Sequence, residues 1–341
     1  MPRKPQHLWK IGSINIRTGK DDQKLESVVK EVHKAGLSIC ALQEVRRLNT
    51  DSASITVQTN DSDRTEYEVH WSGHSLKRIH GVGLVIKVDK NIEITEVIPV
   101  NARVIVIDII IYGCSLKIIN CYAPTEDDSP SSKTAFYSCI KKQIAASKPN
   151  QKVICLGDFN ATSSATWYNS SLRENSVIDN LEVNDNGQRF HDFFNLCRLS
   201  VLTTWFTHRR CRRVTWHSPD GKTQKVYDFI LTCNWLRQYA KNCRVYNSFC
   251  FDSDHRLVIA TLNTPYTKFA RFKKREKKKT VKNLDVNSLD NENLKTDFNR
   301  TLSQKLNSKQ WDNQLNEVIN EHLINSINTS ANETIPQTVQ N

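Results

Sequence analysis

Asp158 and Asn160 stand two positions apart at the end of the strand-forming run VICLGDFNA, residues 153–161. Strand side chains alternate between faces, so an acid and an amide at i and i+2 are expected to leave the strand side by side, where a polar ligand could use both. Three other apolar runs repeat the pattern. SICALQEV carries Glu44, VYDFIL carries Asp228, and CFDSDHRLVIATL places Asp254 and His255 just before its apolar part. A lone acid at a strand end is an ordinary turn or surface residue. Asp228 is less ordinary, because an ionised acid inside KVYDFILT must be paired or hydrogen-bonded to survive burial, and a nearby imidazolium would serve. Taken as a set, Glu44, Asp158 and Asp254 offer hard oxygen ligands while Asn15 and Asn160 add amides. That is the shell Mg²⁺ prefers and phosphoryl substrates complete. Asp228 and His255 are expected to form a couple in which the carboxylate holds the imidazole in one orientation facing a phosphate.

These groups need strands to carry them. Strands are expected in KIGSINIR, LSICALQEV, GVGLVIKV, RVIVIDIII, SLKIINCYA, KVICLGDFN, VTWHS, VYDFILT and HRLVIATL. Between them Leu25, Val28, Val29 and Val32 mark one helix face ended by Gly36, with Phe136, Ile140 and Ile144 a second and Phe190, Phe193, Phe194 and Cys197 a third. Strands mixed with helices over some 260 residues give an α/β fold, a four-layered sandwich of two packed mixed sheets flanked by helices. HGVG at 80–83 opens a strand with no helix after it, so it reads as a bulge or tight turn and not as a dinucleotide loop.

After Pro265 the character of the chain changes. Residues 268–282, KFARFKKREKKKTVK, carry a net charge of +8 out of +12 for the whole chain. Such a block is a solvated linker, a nucleic-acid arm or a nuclear import signal. Beyond it, Leu294, Phe298, Leu302 and Leu306, then Trp311, Leu315, Val318 and Ile319, fit helical faces in an Asn-rich stretch without a strand-like run. The expected organisation is a catalytic domain over 1–265, a basic linker over 266–283, and a helical to disordered extension over 284–341.

Composition narrows the classes further. With 38% hydrophobic and 25% charged residues the chain reads as a folded protein. It has no apolar run of membrane-spanning length and no signal peptide at MPRKPQHLWK, so it is expected inside the cell, away from membranes. The ten cysteines form no CxxC pair or zinc spacing, and are expected to be reduced packing groups. HRRCRR at 208–213 lies within the folded part, and its four arginines need a polyanion or open water.

The motifs SINIR, LQEVR, NCYAPT, GDFNA, YDFIL and SDHRLV occur in the order and approximate spacing of the endonuclease/exonuclease/phosphatase superfamily, and the resemblance runs from about residue 9 to 263. NDNGQRFHDFFNLCRLSVLTTWF and VTWHSPDGKTQKVYDFIL further resemble the non-LTR retrotransposon-type and craniofacial development protein 2-like endonucleases. Where the superfamily commonly reads Asp-Tyr this chain has Asp228-Phe229, from which a packing change is expected. The part beyond 283 resembles the connector that precedes a reverse transcriptase in those elements, although no reverse transcriptase follows it here.

The resemblance implies an assignment of roles. Glu44 would be the main metal ligand, with Asn15 and Asp254 near the same ion. Asp158 would orient and help deprotonate the attacking water, and Asn160 and Tyr122 would hold the scissile phosphate. His255, kept in place by Asp228, would stabilise charge on the phosphoryl oxygens. The implied reaction is Mg²⁺-dependent hydrolysis of DNA phosphodiester bonds, with Mn²⁺ as a possible substitute. Arg209, Arg210, Arg212 and Arg213, set between Trp205–Phe206 and Trp216, suit a DNA groove. DNA is therefore the expected partner, a nuclear location follows from it, and no obligate protein partner is evident. Two other readings stay open: a phosphatase or phosphodiesterase of the same fold acting on a small or lipid phosphate, and a catalytically silent DNA-binding module.

Overall fold

The computed structural model describes residues 6–60, 63–162, 182–265, 282–284 and 291–307, with short stretches between 323 and 339. Its contacts divide the chain into two compact units, Met1–Lys268 and Phe269–Asn341. The first unit contains β1 (Gln6–Asn15), α1 (Asp22–Lys34), β2 (Ile39–Gln43), β3 (Thr50–Asn60), β4 (Asp63–Ser72), β5 (Val82–Lys87), β6 (Ile92–Asn101), β7 (Val104–Ile111), β8 (Cys114–Tyr122) and α2 (Pro130–Ala145). There follow β9 (Lys152–Asp158), α3 (Asp185–Leu196), β10 (Leu199–Val201), β11 (Trp216–His217), β12 (Gln224–Lys225), β13 (Asp228–Cys233), the short helix α4 (Asn234–Arg237), β14 (Ala240–Val245) and β15 (Val258–Pro265).

One sheet has the order β14-β15-β1-β2-β5-β4-β3 and the other β10-β13-β9-β8-β7-β6. They pack face to face: Trp9, Ile11, Ile39 and Leu84 of the first meet Ile105, Ile107, Ile118 and Leu156 of the second. Central strands therefore bury both faces, which is why β2 reads as a continuous apolar run. On the outer face of the first sheet, Leu25, Val28, Val29 and Val32 of α1 cover Ile14, Leu42 and Val85. On that of the second, Phe136 and Ile140 of α2 and Phe190, Phe193 and Phe194 of α3 cover Ile119, Cys155 and Leu231. The four-layered α/β sandwich expected from the strand and helix patterns is the fold observed.

Local chemistry sets the helix ends. Asp21, Ser129 and Asn184 cap α1, α2 and α3, each side chain accepting a backbone N–H from the first turn, and Pro130 occupies the opening position of α2. Gly36, at φ +67°, turns the chain out of α1. Phe229, the aromatic after Asp228, lies 4.7 Å ring to ring from Phe190 in the outer core.

Several strands had no apolar run to announce them. The β3–β4 hairpin is mostly polar and is held by its pairing, with Val57, Tyr67, Val69 and Trp71 the buried apolar residues among those described. β6 alternates along an open sheet edge. The expected VTWHS strand shrinks to Trp216–His217, paired with Gln224–Lys225. Asp228 is the first residue of β13 and not an interior one. All ten cysteines are free, five of them buried.

In the second unit the face of Leu294, Phe298, Leu302 and Leu306 lies on α5 (Glu292–Asn307). The expectation of no strand there is corrected, because β16 (Lys282–Leu284) pairs with β17 (Gln337–Val339). The basic block up to Val281 and the pattern from Trp311 to Ile319 fall outside the described residues.

Candidate active site where the two sheets meet

Strand direction brings the polar residues to one end of the sandwich. β1 and β2 run parallel with Asn15 opposite Gln43, so Asn15 and Glu44 leave the same edge of the first sheet. β8 and β9 run parallel with Tyr122 opposite Asp158 at the corresponding edge of the second. The antiparallel neighbours β13 and β15 begin where those strands end, which places Asp228 opposite Asp158 and puts His255 in the turn before β15. One layer deeper, Gln43 Nε2 donates to Asn120 Oδ1 at 2.7 Å and to Ser13 Oγ at 3.1 Å, and Asn120 Nδ2 donates to the carbonyls of Leu42 and Gly83. This bridge ties the sheets together directly beneath Asn15, Glu44 and Tyr122.

Hydrogen bonds and close ion pairs link the site residues. Asn15 Nδ2 donates to Glu44 Oε1 at 3.0 Å and to Asp158 Oδ2 at 3.1 Å. Tyr122 OH donates to Glu44 Oε1 at 3.0 Å, and Arg46 pairs with Glu44 Oε2 at 2.6 Å. His255 Nδ1 lies 2.9 Å from Asp228 Oδ2, and its Nε2 lies 3.8 Å from Asp158 Oδ2. The carboxylate therefore fixes the Nδ1 proton and turns Nε2 toward the site. Asp254 Oδ2 accepts from Trp216 Nε1 at 3.0 Å, and Arg17 Nε stands 3.7 Å from Oδ1. Ser253 Oγ donates to the Asn15 carbonyl at 2.6 Å, which docks this turn against β1.

Electrostatics follows from burial. Two carboxylates stand opposite each other on paired strands, a placement that repels. Burial and Asp228 push Asp158 up to about 7, against the opposing pull of His255 and Asn15. Burial alone would lower His255, but Asp228 and Asp158 outweigh it and raise the imidazole to about 9. Glu44 is held below the usual carboxylate range, its burial outweighed by bonds from Asn15 and Arg46. Buried oxygens Asp228 Oδ1 and Asp254 Oδ1 accept no hydrogen bond among the described residues. Spare carboxylate oxygens in an acid-rich cluster are the donor set a hard divalent cation fits. Asp158, Asp228 and His255 also offer ligand atoms within 4.8 Å of one another.

Backbone geometry is tightest here. Nine residues other than glycine have positive φ among the described residues, and Arg17, Glu44, Arg46, His80 and Asn160 belong to the rim of this site. Gly157, at φ +150°, lies so close to β8 that a Cβ would sit 1.8 Å from the Cys121 carbonyl oxygen. Only glycine fits before Asp158. The strand alternation expected for Asp158 and Asn160 does not occur, because Asp158 ends β9 and Asn160 has turned to φ +47°. Instead the Asn160 backbone N–H donates to Asp158 Oδ1 at 3.0 Å and its side chain donates to the Ala123 carbonyl at 3.0 Å.

Other expected groups are placed as follows. Arg209, Arg210 and Arg212 are exposed on a 3₁₀ turn over Arg210–Arg212, and Arg213 is half-buried. Trp216, half-buried, reaches the site through Asp254. Of the aromatics before the arginines, Phe206 packs on the inner core and Trp205 carries the Arg237 guanidinium, 4.3 Å from its ring centroid. Sequence reasoning missed Arg103. Its guanidinium lies 5.2 Å from the Tyr122 ring centroid and donates to the carbonyls of Tyr122 and Ala123. An arginine in the turn before a strand carries no signal of this in the sequence.

A two-sheet sandwich with acids, an amide and an Asp–His couple gathered at one end is the architecture of a phosphoester-hydrolase fold. The chain belongs to the Endonuclease/Exonuclease/phosphatase family, whose pattern matches residues 11–255. It is similar to craniofacial development protein 2 of Bos taurus, 23% identical over 258 residues, which is 73% of this chain and 40% of that protein. The chain thus spans about two fifths of that relative's length. Among solved structures it is similar to the 3'-5' exonuclease NExo of Neisseria meningitidis (TM-score 0.53, 19% identity, 75% of this chain and 100% of that one). It is also similar to the AP endonuclease LMAP of Leishmania major (0.54, 13%, 76% and 88%) and to the endonuclease domain of TRAS1, a telomere-specific non-LTR retrotransposon (0.50, 12%, 76% and 100%). At these identities the structural likeness is one of fold. No helix among the described residues is long and apolar enough to cross a membrane.

Proposed function

We propose that this chain is a Mg²⁺-dependent endonuclease of retrotransposon-derived type that hydrolyses DNA phosphodiester bonds. The observation that carries the reading is Asp158, a buried acid brought to about 7 within reach of both Asn15 and His255. A carboxylate tuned near neutrality accepts a proton from water far better than an ordinary one. Asn15 steers it by donating to Oδ2, and the Asn160 backbone holds Oδ1.

His255 keeps its Nδ1 proton on Asp228 and presents Nε2 to the phosphoryl oxygens as a cation. Tyr122 supplies a hydroxyl from beside Glu44, and the second amide hydrogen of Asn160 offers another donor to the phosphate. Glu44, Asn15 and Asp254 would hold the divalent ion. When bound, the ion polarises the phosphate or stabilises the leaving alkoxide. DNA is favoured over a small phosphate by the exposed Arg209, Arg210 and Arg212 and the basic stretch 268–282. The same stretch supports a nuclear location.

The test is supercoiled plasmid incubated with the full chain, in Mg²⁺ and in EDTA, beside Asp158→Ala. Nicking that needs both Mg²⁺ and Asp158 is expected. A folded chain that binds DNA without nicking it would instead be a silent binding module, and one that only releases phosphate from small esters would be a phosphatase.

A further inference from the structure

Residues 73–81, GHSLKRIHG, join β4 to β5 and contain two apolar residues that the core does not use. Leu76 is 77% exposed, the highest value among the exposed large apolar residues described, and Ile79 is 40% exposed. Single exposed leucines are common. Two in one short loop, separated by Lys77 and Arg78 with no acid between Gly73 and Gly81, are a different matter.

The loop is held without help from either apolar side chain. At its start the Gly73 N–H donates to the Asn49 carbonyl, and the Asn49 N–H donates back to the His74 carbonyl. His74 Nδ1 accepts the backbone N–H groups of both Leu76 and Lys77, at 3.0 and 3.2 Å. Arg78 donates to the Lys20 carbonyl at 3.2 Å. At its end His80 and Gly81 accept the N–H groups of Arg46 and Val45, the residues that follow Glu44. The loop is therefore a pre-formed projection tied by backbone to the metal-ligand turn, and its rim adds the exposed cations Arg17, Lys20 and Arg46.

A tip of this kind needs a partner that is anionic outside and apolar a few ångströms further in. Six residues cover far less surface than a stable protein interface. A duplex meets the requirement, with phosphates at the groove edge and base faces that an apolar side chain can separate. Resting on the nuclease reading above, we propose that residues 74–79 form a wedge that enters the DNA duplex beside the scissile phosphate. Leu76 and Ile79 occupy an opened base step, while Lys77 and Arg78 hold the flanking phosphates. Specificity would then depend on how easily a step unstacks, which favours deformable sequences.

The experiment uses the full chain in EDTA with duplexes that carry 2-aminopurine at successive positions around the mapped nick. Wild type is expected to raise the fluorescence at one step. The double variant Leu76→Ala, Ile79→Ala should abolish that rise and weaken binding about tenfold, with an unchanged salt slope. Leu76→Phe should restore the fluorescence. Lys77→Ala and Arg78→Ala should each lower the salt slope by about 1. Because the side chains are exposed, folding is unaffected, which a melting curve checks. Fluorescence and affinity equal to wild type in the double variant overturn the wedge and leave the nuclease standing. So does a double variant whose only loss is binding to anionic lipid vesicles. A wild-type chain that binds no duplex overturns the nuclease reading and the wedge with it.

Discussion

Two buried acids of this sandwich both follow apolar strand runs and have opposite fates. Asp108 lies in VIVIDIII of β7, with Lys117 of β8 directly opposite at 2.9 Å and Lys148 also at 2.9 Å. Burial would raise its carboxyl, but the ion pairs with Lys148 and Lys117 prevail and hold it below the usual range. Asp158, at the other end of the sheet stack, faces a second carboxylate and shares one imidazole with it, so its carboxyl is pushed up. One acid is charge-balanced by two lysines and acts as a strut. The other is left with negative charge to spare, which is the condition of a group that works on a proton or shares a metal. Burial of an acid thus says little until its cations are counted.

The largest expected effect separates the two acids by activity. Asp158→Asn should lower Mg²⁺-dependent nicking by about 10³-fold, the range of a lost general base, with little change in melting temperature. Asp108→Asn should leave nicking of the folded protein within a few-fold of wild type. Plasmid nicking and circular-dichroism melts on the same preparations check both.

Next in size is the strut itself. Lys117→Met leaves Asp108 with only the half-exposed Lys148 and should cost about 3 kcal/mol, the lower end for breaking a buried pair, read from urea unfolding. If Lys117→Met and Glu44→Ala destabilise equally, the distinction between strut and site collapses.

A smaller effect separates the acids by pH in EDTA. Asp158 is raised, so between the ordinary carboxylate range and about 7 the folded chain holds a proton that the unfolded chain has released. Stability therefore falls as pH rises through that window, and Asp158→Asn should remove the fall. Asp108 is depressed, so its contribution is present above the ordinary range and is lost as pH drops below it. Melting temperatures from pH 3 to 8 for the two Asn variants should bend in opposite directions relative to wild type.

The smallest effect concerns the arginine turn. Arg209→Ala and Arg210→Ala should each reduce the salt slope of DNA binding by about 1 and leave the nicking rate at saturation unchanged. A loss of saturated rate would place these arginines in the chemistry and not in the groove.

The layered fold was readable because its central strands are continuous apolar runs and its helices keep a 3.6-residue period. β3 and β6 were not, because neither edge strand carries a continuous apolar run: β3 is mostly polar and β6 alternates. Asp228 and His255 could be coupled from sequence by asking what an acid in an apolar run needs. The same question put to Asp108 asks for a cation, and only the register of β7 on β8 shows that it is Lys117. Asn160 was misjudged because Gly, Asp and Asn together signal a turn, and the alternation rule ends where the strand does. Arg103 escaped because what it does depends on a ring 19 positions away.

Each half of the site belongs to a different sheet, and the strand that closes the first sheet is the last of the unit: β15 pairs with β1, and Ser253 reaches Asn15 across 238 positions. A chain emerging in order from the ribosome therefore holds Asn15, Glu44, Tyr122 and Asp158 long before it holds His255 or the turn that docks on β1. On the proposed reading, the site stays incomplete in any fragment that stops short of β15. The topology thus postpones assembly of the site until the last strand of the first unit has been made.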